Sequence, residues 1–209
     1  MDAGAGTKVA ELDAGAGSLA WLAIVPIVLV VATAFAKSSV LLGAVRVGLG
    51  AEALLPLPVM LALALVVTAI VMAPTAGAVW GEVEAQGGLA GVAAGGGWFD
   101  AAAPWLSFLQ RHADAGELEF FSSLQQRTLD DPLVVVPGFL VTELREALTM
   151  AVVVLVPLVV VDLLVAQAVT LLGFTQLPVA LVSVPLKLLL FLAVGGWTVI
   201  VGGLIEGYA

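Results

Sequence analysis

Long runs of apolar residues without a charged side chain are the dominant pattern in the first third of this chain. Residues 14–36 and residues 53–81 contain no Asp, Glu, Lys or Arg, and both runs are rich in Leu, Val and Ala. A helix needs about 20 such residues to cross the hydrocarbon core of a bilayer. The pattern therefore predicts two membrane-spanning helices, the second of which we expect to end near Pro74 and Gly77.

The same pattern returns in the last third of the chain. Residues 147–161, 163–186 and 188–205 are uncharged, and only Asp162 and Lys187 separate them. No alternation of apolar and polar residues with period two runs far enough to indicate a β-barrel. We therefore predict an all-α, integral or membrane-assembled protein with four long apolar helices in two hairpins. Lys187 is expected to lie between the third and fourth helices.

The segment between the two hairpins has a different character. Residues 76–131 hold eight acidic and two basic residues together with a glycine-rich patch, which is typical of an extramembrane insert. Short helices are expected within it at 104–110 and 116–127. The pattern divides the chain into a flexible tail (1–17), a first apolar hairpin (18–75), the acidic insert (76–131) and a second apolar hairpin (132–209).

Composition narrows the classes of function. Apolar residues make up 62% of the 209 residues and charged residues 11%, whereas soluble domains average about 45–50% and about 25%. The absence of cysteine excludes disulfides, thiolate zinc sites and cysteine nucleophiles, and a single histidine argues against a histidine-based metal site or catalytic triad. The formal net charge of −9 argues against nucleic acid as a partner. We therefore predict no enzymatic activity and no cofactor.

Basic residues beside the apolar runs set the expected orientation in the membrane. Lys37 and Arg46 follow the first run, and Lys187 separates the last two. Because basic residues concentrate in cytoplasmic connections, both connections are expected to face the cytoplasm. The N-terminus, the acidic insert and the C-terminus would then lie on the outer side of the membrane, which is the periplasmic side if the membrane is a bacterial inner membrane.

Asp162 and Lys187 are the charges most deeply embedded in apolar sequence, and Glu143 stands near the start of such a run. An unpaired charge in an apolar environment costs several kcal/mol, so such residues either form structural ion pairs or serve a proton or ion pathway. The second interpretation would make the protein an ion-coupled small-solute transporter that uses Asp162 and Lys187. The internal repeat typical of such transporters is not visible in the sequence.

Several short motifs occur in a fixed order along the two apolar parts of the chain. They are TAFAK at 33–37, VMAP at 71–74, PGF at 137–139, TELREA at 142–147, PLVVVDL at 157–163, SVPLKLLLF at 183–191 and GW at 196–197. In that order they resemble the FliP/SctR family, the core export-gate component of flagellar and virulence type III secretion systems. The resemblance covers most of the chain outside the acidic insert.

The resemblance implies a pore-forming subunit in the bacterial inner membrane that conducts unfolded protein substrates. Its expected partners are further copies of itself, in a pentamer-like arrangement, and small membrane proteins of the FliQ/SctS and FliR/SctT types. Proteins of the FlhB/SctU and FlhA/SctV types are expected beside this gate. The proton motive force and an ATPase on other subunits would drive transport.

The resemblance also places a pore constriction in the second apolar hairpin. The family usually has a run of methionines after the position of Gly173, where this chain has Phe174, Thr175, Gln176 and Leu177. Methionine is unbranched and soft, which suits a seal that must yield to varied substrates. Gly173 permits a sharp chain reversal, so these four residues are predicted to project towards the pore axis.

Three charges are expected at contacts between subunits, because the family's residues matching Glu143, Asp162 and Lys187 take part in intersubunit salt bridges. One positive and two negative charges leave a net charge of −1, which a basic residue of a partner would offset. The acidic first residues, which are not typical of a cleaved signal peptide, favour a non-flagellar system.

Overall fold

The computed structural model describes residues 26–174 and 176–208, and α-helices are its regular elements throughout these two ranges. A helical stretch at 26–31 precedes the helices that we number α1 to α8. Their bounds are α1 Phe35–Leu49, α2 Leu57–Ala85, α3 Gly88–Gly95, α4 Trp98–His112, α5 Ala115–Gln125, α6 Pro132–Leu171, α7 Ala180–Ala193 and α8 Gly196–Glu206. The predicted all-α class is confirmed.

Two of these helices are long and apolar enough to cross a membrane, namely α2 with 29 residues and α6 with 40. A third span results if α7 and α8, which meet at a bend of 59°, are counted as one broken span. The first predicted apolar run, residues 14–36, lies mostly outside the described residues. The prediction of four long apolar helices is therefore tested only for the rest of the chain.

Helix α2 does not end where the sequence predicted. Pro74 lies inside it, and the helix continues to Ala85, so the predicted end near Pro74 and Gly77 is wrong. A proline removes one helical hydrogen bond, but packing against a neighbouring helix can sustain the segment around it. The segment beyond Pro74 packs on α4, and Val83 lies in a small buried cluster with residues of α3 and α4. The predicted boundary between 75 and 76 therefore falls within one continuous helix.

Helix α6 is a single continuous helix, which the uncharged runs did not predict. Pro137, Pro157 and Asp162 all lie inside it, so Asp162 does not interrupt the helix. The chain reverses after its end, where Gly173 adopts a φ of +77° as its N–H bonds to the carbonyl of Thr170. The connection before α7 is therefore at 172–179. The prediction that Lys187 lies between two helices is wrong, because Lys187 lies inside α7.

Besides the small cluster around Val83, two larger buried clusters organise the helices. The first joins α1 to α2, α6, α7 and α8 through fully buried residues such as Leu42 and Leu204. The second joins the acidic insert to the start of α6, where Phe108 of α4 and Leu118 of α5 pack against Phe139. The insert is therefore attached to the second hairpin by a shared core, although the sequence pattern separates them at 131 and 132.

Candidate functional site

A buried ion cluster lies at the first turn of α1. The side chain of Lys37 is almost fully buried, and its Nζ lies 3.0 Å from Oε1 of Glu143 and 2.7 Å from Oε2 of Glu146. Glu143 has no exposed surface, whereas 49% of the Glu146 side chain is exposed. At 3.0 Å the Lys37–Glu143 contact is an ion pair within one buried cluster. One ammonium thus neutralises a buried carboxylate and reaches a second one at the surface.

Tyr208, which follows α8, completes this cluster. Its hydroxyl donates a hydrogen bond to Oε2 of Glu143, and Nζ of Lys37 lies 4.0 Å from the centre of its ring, within the range of a cation–π interaction. The ring also stacks on Phe108 at a centroid distance of 6.0 Å. Burial, together with the nearby Glu143 carboxylate, raises the pKa of Tyr208 far above its usual value, so the hydroxyl remains a donor.

A second ion pair lies near the last turn of α1. Lys187 of α7 is 4% exposed, and its Nζ lies 3.0 Å from Oδ2 of Asp162 on α6. The same Nζ donates a hydrogen bond of 2.8 Å to the carbonyl of Gly48. The last carbonyls of a helix carry a partial negative charge, which a cation stabilises. Lys187 therefore neutralises a carboxylate and the end of α1 at the same time.

The two clusters hold opposite ends of α1 against α6. Glu143 and Asp162 are about 28 Å apart along α6, at about 1.5 Å per residue. The three charges singled out from the sequence therefore lie in two separate sites. Asp162 and Lys187 do meet, while Glu143 pairs with Lys37, which the sequence analysis had placed in a connection. The charge balance drawn from Glu143, Asp162 and Lys187 alone left out Lys37, which pairs with Glu143 within the chain.

This arrangement also alters the argument for orientation. Lys37 and Lys187 were counted as basic residues of cytoplasmic connections, yet both are buried inside helices and paired with carboxylates. Arg46 lies in the last turn of α1, and its side chain donates to the carbonyls of Glu52 and Leu55 in the connection that follows. The pairing of Lys37 with Glu143 could not be predicted from the sequence, because 106 residues separate the two and no local pattern links them.

The predicted constriction is an exposed turn at the end of α6. Phe174 is 58% exposed, and its N–H bonds to the carbonyl of Val169, which ends the helix in a left-handed Gly173 cap. Leu177 is 40% exposed, and its N–H bonds to the carbonyl of Phe174, which closes the turn. Gln176 is also exposed. Thr175, the remaining predicted constriction residue, lies outside the described residues.

The face of α6 around Asp162 is apolar and uncovered in the isolated chain. Its exposed residues are Leu148, Val152, Val153, Val156, Val159, Val160, Leu163 and Leu164. Asp162 is 41% exposed on the same stretch, and one of its carboxylate oxygens pairs with Lys187. A continuous apolar surface of this kind marks contact with lipid or with other helices.

Comparison with known proteins places these features in a family. A model of the FliP family matches residues 18–204. The flagellar biosynthetic protein FliP of Caulobacter vibrioides is 33% identical over 204 residues, which cover 92% of this chain and 74% of that protein. The virulence protein YscR of Salmonella typhimurium is 30% identical, with 92% and 95% covered. The hypersensitivity response secretion protein HrcR of Ralstonia nicotianae is 32% identical, with 90% and 93% covered.

These relatives come from flagellar and virulence systems alike, so they do not test the non-flagellar expectation. They support the export-apparatus interpretation and not the alternative of a small-solute transporter that uses Asp162 and Lys187. The match spans both apolar hairpins and the acidic insert. This chain belongs to the FliP family.

Proposed function

We propose that this chain is a non-enzymatic, pore-forming subunit of a type III secretion export gate in the bacterial inner membrane. Its relatives by name serve flagellar biosynthesis, virulence and hypersensitivity-response secretion. The observation that carries the proposal is the uncovered apolar surface of α6. Only 17% of the most apolar 18-residue stretch of α6 is buried within the chain, which is too little for a helix of a soluble protein that acts alone.

That surface supports assembly with further helices. We propose that copies of this chain, in a pentamer-like ring, cover one another's α6 and α7. Small membrane partners of the FliQ/SctS and FliR/SctT types would complete the gate, and proteins of the FlhB/SctU and FlhA/SctV types would adjoin it. Packing and interhelical hydrogen bonds drive association in lipid, and the surface around α6 offers both.

We propose that Asp162 is the charge that reaches a neighbouring subunit. It is half-exposed on the apolar face of α6, so a donor from an adjacent helix can contact its carboxylate while Lys187 remains paired. Glu143 and Lys187 are buried. Their contribution to assembly is therefore to hold α1, α6 and α7 in the arrangement that presents this face.

We further propose that Gly173, Phe174, Thr175, Gln176 and Leu177 form the constriction of the pore. The described members of this turn are exposed, and the apolar side chains of Phe174 and Leu177 at the end of a helix suit a seal. Protein substrates would pass this point in an unfolded state. Bulky Phe and Leu side chains would block the passage of ions between transport events.

The proposed orientation places the acidic insert in the periplasm. The excess of acidic residues in 76–131 supports this side, and Arg46 supports a cytoplasmic location for the connection at the opposite end of α2. Residue 32 accepts a hydrogen bond of 2.8 Å from Trp105 of the insert, and Tyr208 stacks on Phe108. The segments that contain residues 32 and 208 therefore lie at the same end of the molecule as the insert.

A conductance measurement tests the proposed pore. We expect Phe174→Ala combined with Leu177→Ala to leave the assembled complex intact and to raise its resting ion conductance in planar bilayers at least tenfold. Phe120→Ala combined with Leu124→Ala is the matched control, because these residues of the insert are similarly exposed and of the same types. Background conductance in a constriction variant whose complex has the mass of the wild type would place the pore elsewhere.

A further inference from the structure

Helix α8 depends on contacts with other helices for its position. Gly196, Gly202 and Gly203 are three of its 11 residues, no side chain caps its start, and glycine is among the poorest helix formers. Its inward face is buried, with Ile200 6% exposed and Leu204 fully buried. Tyr208, in the segment after the helix, lies four residues beyond Leu204, as Leu204 lies four beyond Ile200. The buried face of α8 therefore ends with this tyrosine.

Tyr208 contacts three other elements at once. Its hydroxyl donates to Glu143 of α6, and its ring faces the ammonium of Lys37 of α1. On α4 it stacks on Phe108 and lies 5.3 Å from the ring of His112. Since burial keeps the hydroxyl protonated, its hydrogen bond goes to a carboxylate that Lys37 already fixes in position. The segment after α8 is therefore joined to the most buried polar group of the chain.

The contact between α8 and α7 links α8 to the turn at 172–179. The rings of Phe191 and Trp197 meet edge to face at a centroid distance of 5.1 Å across the 59° bend. A Cβ added to Gly196 would lie 2.4 Å from the ring of Phe191, so glycine is what allows the start of α8 to pack this closely on α7. Helix α7 begins directly after the turn that carries Phe174 and Leu177.

We propose that Tyr208 is a positioning residue that acts as a latch. Its hydrogen bond to Glu143 holds α8 on the core formed by α1, α4 and α6, and α8 in turn holds α7 and the turn at 172–179. The positioning of α8 stands independently of the proposed pore. The consequence that releasing the latch loosens the constriction rests on the proposed function.

Hydrogen–deuterium exchange of this 209-residue chain in detergent tests the latch. Tyr208→Phe removes the hydroxyl and keeps the ring, so the stacking on Phe108 and the contact with Lys37 persist. We expect amide exchange in 196–208 to become about tenfold faster, as for the loss of a hydrogen bond to a charged group. Thr149→Val is the matched control, because the Thr149 hydroxyl donates to the carbonyl of Arg145 within an exposed turn of α6. This control is expected to exchange like the wild type.

Two results would overturn the latch: unchanged exchange in 196–208, or an equal increase spread over α2 and α6. If Tyr208→Phe does not accumulate as folded protein, Glu143→Gln decides. It replaces the charged acceptor of the hydroxyl by a neutral, weaker one, so exchange in 196–208 should rise measurably but by less than about tenfold, and no local rise would refute the latch. Conductance separates the two proposals. Faster exchange without added ion leakage supports the latch and contradicts only its link to the pore.

Discussion

The two ends of α1 are fixed by ion pairs of the same chemistry in different surroundings. Lys37 meets a fully buried carboxylate, a half-exposed one and an aromatic ring, so its cluster is complete within the chain. Lys187 meets one half-exposed carboxylate and a helix carbonyl at the edge of an uncovered apolar face. The first site maintains the fold of the subunit, whereas the second both maintains the fold and faces outward. The difference lies in the exposure of the carboxylates.

Replacing Lys37 should have the largest effect on stability. Lys37→Met keeps the length of the side chain and leaves the buried Glu143 without its cation, which typically costs about 3–5 kcal/mol. For a chain of this size we expect a Tm lower by about 10 °C in thermal unfolding followed by circular dichroism. Glu146→Gln is the control and should change Tm by no more than about 2 °C, because an exposed partner contributes about 1 kcal/mol or less. Equal Tm values for the two variants would contradict a buried, self-contained cluster.

Replacing Lys187 should have a smaller effect on the isolated chain than on the assembled complex. Lys187→Met leaves Asp162 partly accessible to solvent and removes the interaction with the end of α1, for a loss of about 1–2 kcal/mol. If a neighbouring helix covers Asp162 on assembly, the stranded charge becomes more costly there. We therefore expect complex yield to fall more than the Tm of the isolated chain implies. A loss no greater in the complex than in the chain would show that this site does not face a subunit.

An exposed ion pair in the insert is expected to contribute least to stability among these ion pairs. Arg127 lies 2.7 Å from Asp131, which also accepts from the N–H of Leu133 at the start of α6. The hydrogen bond from Arg127, followed by the backbone bond, lowers the pKa of Asp131. This carboxylate therefore stabilises the helix start above its ordinary pKa of about 3.9, and the contribution is lost as pH falls through the lower folded value.

Arg127→Gln should move this titration and change little else. Because the variant removes the largest cause of the lowered pKa, the midpoint of Asp131 should rise towards its ordinary value. Carbon-detected NMR of the Asp131 carboxyl group measures the shift, and stability at pH 7 should stay close to that of the wild type. An unchanged midpoint would assign the lowered pKa to the backbone bond instead.

The helical class and the reversal at Gly173 could be predicted because both depend on local properties. Uncharged runs of membrane-spanning length predict helices, and glycine tolerates the left-handed backbone that ends α6. The continuity of α6 through Asp162 could not be predicted in this way. A charged residue in an apolar run predicts the end of a helix unless its partner is known. Lys187 approaches Asp162 only after the chain reverses at 172–179.

The buried pair at the first turn of α1 was missed for a related reason. Lys37 follows an uncharged run, as residues of a cytoplasmic connection commonly do. Its burial becomes visible only when α1 lies against α6, which brings residues from distant parts of the chain together. The extension of α2 beyond Pro74 has the same origin, because packing on α4 compensates for a locally unfavourable residue.

The length of α6 has a mechanical consequence. Its 40 residues extend about 60 Å, which is about twice the thickness of the hydrocarbon core. Its first turns are built into the core of the acidic insert, and its last turn carries Phe174 at the opposite end. Because two ion clusters hold α1 against α6, the two helices would tilt together. A tilt of about 10° around one end of α6 would move the other end by about 10 Å, at about 1.5 Å of length per residue. A small rotation where the insert meets α6 would therefore displace the turn that carries Phe174 by about the width of one extended polypeptide chain.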